Sequence, residues 1–509
     1  MRAGRREWIG LAVLALPCLL FSMDLTVLYM AVPALSADLH PSSVQLLWIT
    51  DIYGFMLAGL LLTMGSLGDR IGRRRLLLIG AAGFGAASLL AAFSSSAPML
   101  IVARALLGVA GATLAPSTLS LLRGMFADER QRTFAIGVWT ASFSLGAAIG
   151  PLVGGALLEH FWWGSVFLVA VPVMVLLLVL GPRLLPEHRD PASTTLDLAS
   201  AALSLVALLS VIYSLKEVAR SGFDAPAAGA LLAGLVAGTA FLRRQRVLDD
   251  PLLDLRLFRS APFSSAIGAM LAAVFVIDGT FLFLSQYLQL IAGKEPLTAA
   301  VWLLPATAGL VAGSMLAPLA ARRVTAGPLL VGGLLAGAAG VALLTQIEPR
   351  QGLAPLVAGG LVMGIGTGVV GTVATDFVLG SAPPERAGAA SAISETGAEL
   401  GGALGIAILG SVGLAVYQSQ LGHALPAGLT PAQEHAATST LADATSTSEQ
   451  LADPASDALF NAAAGAFTDS LHTVAVTAAV VTLLLAFTVA ISHRRANGVA
   501  EDRRVWEAS

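Results

Sequence analysis

Six acids and one base stand inside stretches of the 509-residue chain that are otherwise apolar: Asp24, Asp51, Asp278, Asp376, Glu395, Glu399 and Arg104. A charge at the centre of a membrane helix costs at least about 2.5–3.5 kcal/mol on insertion scales, so each needs a partner, a wet cavity or a proton. If all were ionised, five negative charges would lack a partner within the membrane. Either some carboxyls are protonated at rest, or a cationic substrate neutralises them. Both belong to the chemistry of a carrier that exchanges protons for cations.

Glu395 and Glu399 are four residues apart and therefore share one face of a helix. At a rise of 1.5 Å per residue, Glu399 lies roughly 20 Å from Arg386, near the middle of a bilayer. Two carboxylates so placed repel, which makes one of them a proton carrier that a substrate cation can displace. Asp376 lies nearer the end of its span, where a gating or helix-stabilising role is as good a reading as coupling. Arg104 should pair with an acid of its own half; Asp24 is the first choice and Asp51 the alternative. Tyr29, Trp48, Tyr53, Trp139, Phe143, Phe281, Phe283 and Tyr287 have π faces a cation can use. Tyr29, Tyr53 and Phe281 are the candidates for a binding role.

These residues must be positioned by membrane helices. The chain is 56% hydrophobic and 12% charged, with a mean hydropathy of +0.80, where soluble domains carry about 25% charged residues. Fourteen segments reach the roughly 20 apolar residues a spanning helix needs: 8–33, 44–67, 76–95, 99–122, 133–158, 163–182, 196–215, 224–242, 261–291, 297–319, 327–347, 352–379, 387–417 and 471–492. The first is too long for a cleaved signal peptide, and Asp24 lies within it. Of the 29 Lys and Arg, 24 fall at the N-terminus, the even-numbered connections and the C-terminus; Lys216, Arg220, Lys294 and Arg350 fall on the other side, and Arg104 within a span. By the positive-inside rule both termini are cytoplasmic. The long connection 418–470 has no Lys or Arg; its Ala/Thr/Ser/Asp-rich composition reads as a poorly ordered or weakly helical tether outside the cell.

An internal repeat organises the spans. Phe21-Ser22-Met23-Asp24-Leu25-Thr26-Val27-Leu28 in span 1 and Phe275-Val276-Ile277-Asp278-Gly279-Thr280-Phe281-Leu282 in span 9 share the pattern F-x-[MI]-D-x-T-x-L. Gly146, Gly150 and Gly154 in span 5 match Gly397, Gly401 and Gly405 in span 13. The expected fold is all-α: a six-helix half over 1–185, an inserted helix pair with its linker over 186–258, and a second six-helix half over 259–509. Parallel halves with a site between them suit alternating access.

Two glycine-rich segments carry more than topology. Gly65, Gly68, Asp69, Arg70, Gly72 and Arg73, followed by Arg74 and Arg75, link spans 2 and 3. The glycines let helix ends approach, while the charges can form a latch whose strength differs between two conformations. Gly146, Gly150, Pro151, Gly154 and Gly155 lie within span 5, where glycines allow close helix contact and the proline removes a backbone donor.

Several chemistries are excluded or declined. The single cysteine, Cys18, supports neither a disulfide scaffold nor a multi-thiolate metal site. A net charge of −3 gives no field for nucleic acid. Gly366-Thr367-Gly368-Val369-Val370-Gly371 fits a dinucleotide-binding pattern but lies within an apolar span, so it reads as helix packing. The chain has no P-loop, clustered histidine ligands or nucleophile elbow; no enzyme, metal or cofactor is expected, and the proton gradient is the energy source.

With these residues in place, the chain resembles the major facilitator superfamily. Segment 65–75 looks like its loop motif, Gly146 to Gly155 like the glycine–proline motif of its antiporters, and Arg104-x3-Gly108-x2-Gly111 like its span-4 motif. Met23-Asp24-Leu25-Thr26-Val27-Leu28 with Ala31-Val32-Pro33, Trp48-Ile49-x-Asp51-Ile52-Tyr53 and the span-13 acids are similar to the 14-helix drug:proton antiporters of the Qac type. That resemblance implies efflux of lipophilic cations (quaternary ammonium biocides and dyes) across the bacterial cytoplasmic membrane by a multi-pass protein that functions as a monomer. It implies Asp24, Asp51, Glu395 and Glu399 as carboxylates for proton and cation binding, Arg104 as a proton-relay partner, and Asp69 with Arg70 and Arg73 as the conformational latch. Taken with the residues read above, the candidates are Asp24, Arg104, Glu395 and Glu399 for proton coupling, and Asp24, Asp51, Asp278, Glu395, Glu399, Tyr29, Tyr53 and Phe281 for substrate binding. The alternative is a proton-coupled exporter of one narrow substrate, such as an antibiotic, metabolite or lipid. Two departures are present: the second-half loop Leu316-Ala317-Pro318-Leu319-Ala320-Ala321-Arg322-Arg323 has no acid, and span 13 has Ser394-Glu395 where some relatives have two adjacent acids.

Overall fold

The structure is a computed structural model of the chain, and it describes residues 3–126, 128–187, 197–221, 223–248, 251–252, 255–348, 352–380 and 387–507. Among the described residues all regular structure is helical. In chain order the helices are α1 (Arg5–Leu39), α2 (Ser43–Ile71), α3 (Arg73–Ala92), α4 (Ala97–Met125), α5 (Glu129–His160), α6 (Ser165–Leu168), α7 (Ala170–Leu184), α8 (Leu198–Ser221) and α9 (Ala225–Val247). They continue as α10 (Ala261–Gln286), α11 (Pro296–Ala321), α12 (Ala326–Leu344), α13 (Ala354–Gly380), α14 (Ala387–Ala424), α15 (Pro431–Ser439), α16 (Leu441–Glu449) and α17 (Ala455–Glu507). A π-helical turn, Tyr287–Ile291, extends α10. Fourteen spans are long and apolar enough to cross a bilayer, with α6 and α7 together making one of them.

The helix ends follow from local chemistry. His40 ends α1 in the left-handed region at φ 43°, and Ser42 then caps α2 by accepting from the Gln45 backbone N–H while Gln45 Oε1 accepts from the Ser42 N–H. Asp128 caps α5 through the Gln131 N–H at 3.0 Å. Between α2 and α3 the chain turns through Gly72 at φ 108°, a conformation that a side chain would strain. Prolines 17, 33, 116, 151, 305 and 318 lie inside spans, as membrane helices tolerate when neighbours re-satisfy the freed carbonyls.

The chain forms two compact units. The first comprises Met1–Phe241, Ser285–Val301 and Tyr417–Ala466; the second comprises Leu242–Leu284, Trp302–Val416 and Phe467–Ser509. In the first, α1 lies along α5, and α4 lies along both α2 and α3. The inserted helix α8 packs on α2, where Gly59 faces Leu205, and α9 returns along α8 with Ser214 Oγ donating to the Ala227 carbonyl at 2.8 Å. In the second unit α13 is pressed between two helices by small residues. Gly366 meets the backbone of Gly333 and Gly337 on α12, and Gly368 meets the Leu310 carbonyl on α11. The G-x-G-x-x-G segment is thus a helix-packing surface. Ala266, Met270, Leu330, Val370, Ala374 and Val378 belong to the buried core of this unit.

The connection 418–470 departs from the sequence expectation of a poorly ordered or weakly helical tether. α14 runs on to Ala424 and α17 begins at Ala455, and between them α15 and α16 form a hairpin docked on the first unit. Thr430 and Thr440 cap the two helices by accepting from the Gln433 and Asp443 backbone N–H groups. The Tyr417 hydroxyl donates to the Ala437 carbonyl at 3.0 Å, Ser43 Oγ donates to the Ser439 carbonyl, and His40 Nδ1 lies 3.2 Å from Asp443 Oδ1. The same Ser, Thr and Asp residues that suggest a solvated coil in composition supply helix caps and docking bonds here.

Candidate functional site

The first unit holds the densest buried charge. Arg104 on α4 donates from Nη1 to Asp24 Oδ2 on α1 at 2.5 Å, and from Nε to the Ile49 carbonyl on α2 at 3.2 Å. Its guanidinium carbon stands 4.7 Å from the Tyr53 ring centroid. Arg104 is fully buried and the Asp24 side chain is 8% exposed. One arginine therefore ties α1, α2 and α4 together, and Asp24 is the acid it takes. Tyr53 is its stacking partner, in a cluster with Phe21 at 6.3 Å; Phe21 in turn packs edge-on against Phe143, and Phe143 against Trp139.

Asp51 takes a partner that sequence reasoning placed elsewhere. Lys216, assigned by its position to the connection after span 7, is buried near the end of α8, and its Nζ lies 2.7 Å from Asp51 Oδ2 and 4.1 Å from the Trp48 ring centroid. The inventory of intramembrane bases therefore grows from one to two, with Asp24 and Asp51 each facing one, and Glu217 beside Lys216 adds a further buried acid. The sequence carried a signal: the chain has two lysines against 27 arginines, and the apolar run of span 7 ends at the residue before Lys216.

The glycines of α5 bring α1 to within backbone contact. A Cβ at Gly146 would strike the Leu19 carbonyl, at Gly150 the Thr26 hydroxyl and the Met23 carbonyl, and at Gly154 the Val27 side chain. Pro151 lies between them inside the helix, and Gly155 meets the backbone of Leu297. The second unit repeats the device with a slip of one turn. Gly401 and Gly405 of α14 press on the carbonyls of Leu271 and Phe275 on α10, as Gly146 and Gly150 press on those of Leu19 and Met23, whereas Gly397 meets only side chains. The sequence repeat matched Gly397 with Gly146; packing matches Gly401 with it.

The acids of the second unit lie on three helices. Asp278 on α10 stands against Gly402 of α14, where a Cβ would collide with its carboxylate. Glu399 is half-buried three residues before Gly402, so the two share a face of α14. Glu395 is one turn further along the same helix, and its side chain lies outside the described residues. Asp376 is exposed near the end of α13. The apolar spans of this unit contain no Lys or Arg. Phe281 and Tyr29 are buried on α10 and α1, and the Tyr29 carbonyl accepts from Ser285 Oγ at 2.7 Å.

The 65–75 loop is clasped by a residue that the sequence did not single out. Glu187, just beyond α7, lies against Gly72; its Oε1 accepts from the Arg74 backbone N–H at 3.2 Å and its Oε2 lies 3.4 Å from Arg74 Nε. Arg74 Nη1 also donates to the Leu185 carbonyl at 3.0 Å. Arg73 is buried with its side chain folded over Gly68, Gly65 faces Pro116, and Arg70 is exposed. The Asp69 side chain lies outside the described residues.

Comparison with known proteins agrees with this architecture. The family model of the Major Facilitator Superfamily matches residues 14–406. The chain is 45% identical to the multidrug efflux pump LfrA of Mycolicibacterium smegmatis, over 97% of this chain and 98% of that one. It is 36% identical to the methyl viologen resistance protein SmvA of Salmonella typhimurium, over 96% of this chain and 100% of that one. Among solved structures, a bacterial homologue of the human lysosomal transporter Spinster, inward-facing and unoccupied, superposes with a TM-score of 0.67 at 19% identity, covering 96% of this chain and 99% of that one. Fourteen spans, the Arg104–Asp24 tie, the α5 glycines and full-length similarity to efflux pumps converge: the chain is a multi-pass membrane transporter, not an enzyme, and belongs to the drug-efflux group of the major facilitator superfamily.

Proposed function

We propose that the protein exchanges inward-moving protons for outward-moving lipophilic cations. The observation that carries this reading is the charge of the second unit, whose helices hold Asp278, Asp376, Glu395 and Glu399 and whose spans contain no Lys or Arg. An anionic substrate would meet repulsion there, whereas a lipophilic cation is attracted to the carboxyl groups and displaces a proton as it binds. Methyl viologen, to which SmvA is named as conferring resistance, is a bis-quaternary dication and belongs to this chemical class.

In this cycle Glu395 and Glu399 carry protons and receive the cation, with Asp278 on the facing helix and Phe281 as an aromatic wall. Asp24 and Arg104 relay the proton in the first unit, with Asp51, Tyr29 and Tyr53 lining its interior. Gly65, Gly68, Asp69, Arg70, Gly72 and Arg73 act as the latch that tightens and releases as access alternates. The proton gradient supplies the energy, no cofactor takes part, and the single chain is the working unit. The 24 Lys and Arg on one side support a reading in which both termini are in the cytoplasm of a bacterial cell and the α15–α16 hairpin is outside.

The test is transport by purified protein in liposomes under an imposed pH gradient, with ethidium movement and internal pH recorded together. Cation movement matched by opposite proton movement is the expected result. Folded protein that moves no cation under any gradient would overturn the reading and turn the search to neutral metabolites.

A further inference from the structure

The inserted helix pair consists of α8 and α9. Here it places the Lys216 ammonium 2.7 Å from a buried carboxylate and 4.1 Å from the centroid of an indole. A carboxylate beside an aromatic face is the arrangement that recognises alkylammonium groups. The side chains of Lys216 and Asp51 are 1% and 0% exposed, so the lysine ammonium fills a position that water does not reach.

The choice of lysine is informative. Every other charged base in the chain except Lys294 is an arginine. At Arg104, where three helices are tied, the guanidinium bonds to a carboxylate and a carbonyl and stacks on Tyr53. Lysine at 216 offers a single point charge on a flexible four-carbon stem, which can swing away without breaking a planar fork of bonds. A tether favours arginine; an exchangeable occupant favours lysine.

We propose that Asp51 and Trp48 form a subsite for a monovalent alkylammonium cation, and that Lys216 is its built-in occupant. A substrate ammonium must displace the lysine to bind there, so the inserted helix pair sets the affinity threshold of the subsite. The proposal rests on the cation-export reading for its biological role, while the subsite can be measured by binding alone.

The probe is benzyltrimethylammonium, a permanently charged monovalent cation, added to the full-length protein in lipid nanodiscs. In the wild type, saturating probe is expected to raise the labelling of Lys216 by a membrane-permeant amine reagent several-fold, with Lys294 as the internal control read by mass spectrometry. Unchanged Lys216 labelling under probe that binds would overturn the proposal, and this readout needs no variant to fold. K216Q is expected to bind the probe about tenfold more tightly than wild type, and D51N/K216Q to lose that gain while keeping the local charge balanced. Equal affinity in wild type and K216Q, or a gain that survives D51N, would also overturn it. Probe binding by K216Q but not by wild type would support the subsite and count against cation export; binding by neither would sink both.

Discussion

Neutralising Arg104 and Asp24 separately and together tests whether they form one electrostatic unit. The pair is nearly dry, with 0% and 8% of the two side chains exposed and 2.5 Å between Nη1 and Oδ2. Opposite charges about 4 Å apart attract by roughly 4 kcal/mol at an effective dielectric near 20. Removing one partner of a buried pair leaves the other charge desolvated and costs about 3–5 kcal/mol. R104M and D24N should each lose about that much stability, R104M also forfeiting the bond to the Ile49 carbonyl and the stacking on Tyr53. The double variant D24N/R104M strands no charge and should be less destabilised than either single one, where additivity would demand about 6–10 kcal/mol. Unfolding in mixed micelles, followed by tryptophan fluorescence, supplies the three values. A double variant as unstable as the sum of the singles would refute the pairing as the source of the stability.

Two further perturbations address packing and the loop clasp. G150V inserts branched carbon against the Thr26 hydroxyl and the Met23 carbonyl, so it should push α1 from α5, cost about 1–3 kcal/mol as overpacking does, and stop ethidium transport; wild-type transport by a stably inserted G150V would show that the close approach is dispensable. E187Q removes the partner of Arg74, but the two side chains are 38% and 30% exposed, so stability should change by under about 1 kcal/mol. A transport rate altered by E187Q with an unaltered melting temperature is the expected signature of a latch, and no change in rate would leave Glu187 a surface contact.

The legible parts of this protein were those fixed by local physics. Fourteen apolar runs can only be helices in a bilayer, because no other element satisfies its own backbone bonds there. That Arg104 takes an acid of its own half was legible, with Asp24 the first choice and Asp51 the alternative; the contact with Asp24 decides between them. The rest depended on tertiary placement. Lys216 lies one residue past an apolar run, and only the packing of α8 on α2 shows that its side chain turns inward to Asp51. Glu187 follows α7 by three residues, and only the return of the chain to Gly72 gives it a role. The α15–α16 hairpin has the composition of a coil because its buried face is built mainly from Ala, Thr, Ser and a single Leu, and its order draws on caps and docking bonds as well.

The two units handle charge in different ways, and this makes stability and activity separable. In the first, Asp24 and Asp51 each face a base, Arg104 and Lys216 respectively, so losing either acid strands a cation. In the second, the spans carry no Lys or Arg, and an uncharged amide costs less inside a membrane than a carboxylate. E395Q/E399Q should therefore melt no lower than wild type while losing proton-coupled ethidium transport, whereas D24N should lose stability along with activity. Measuring both quantities on the same preparations decides the matter. A double glutamine variant that melts as low as D24N would mean that the span-13 acids hold the fold together, and one that transports normally would remove them from the coupling machinery.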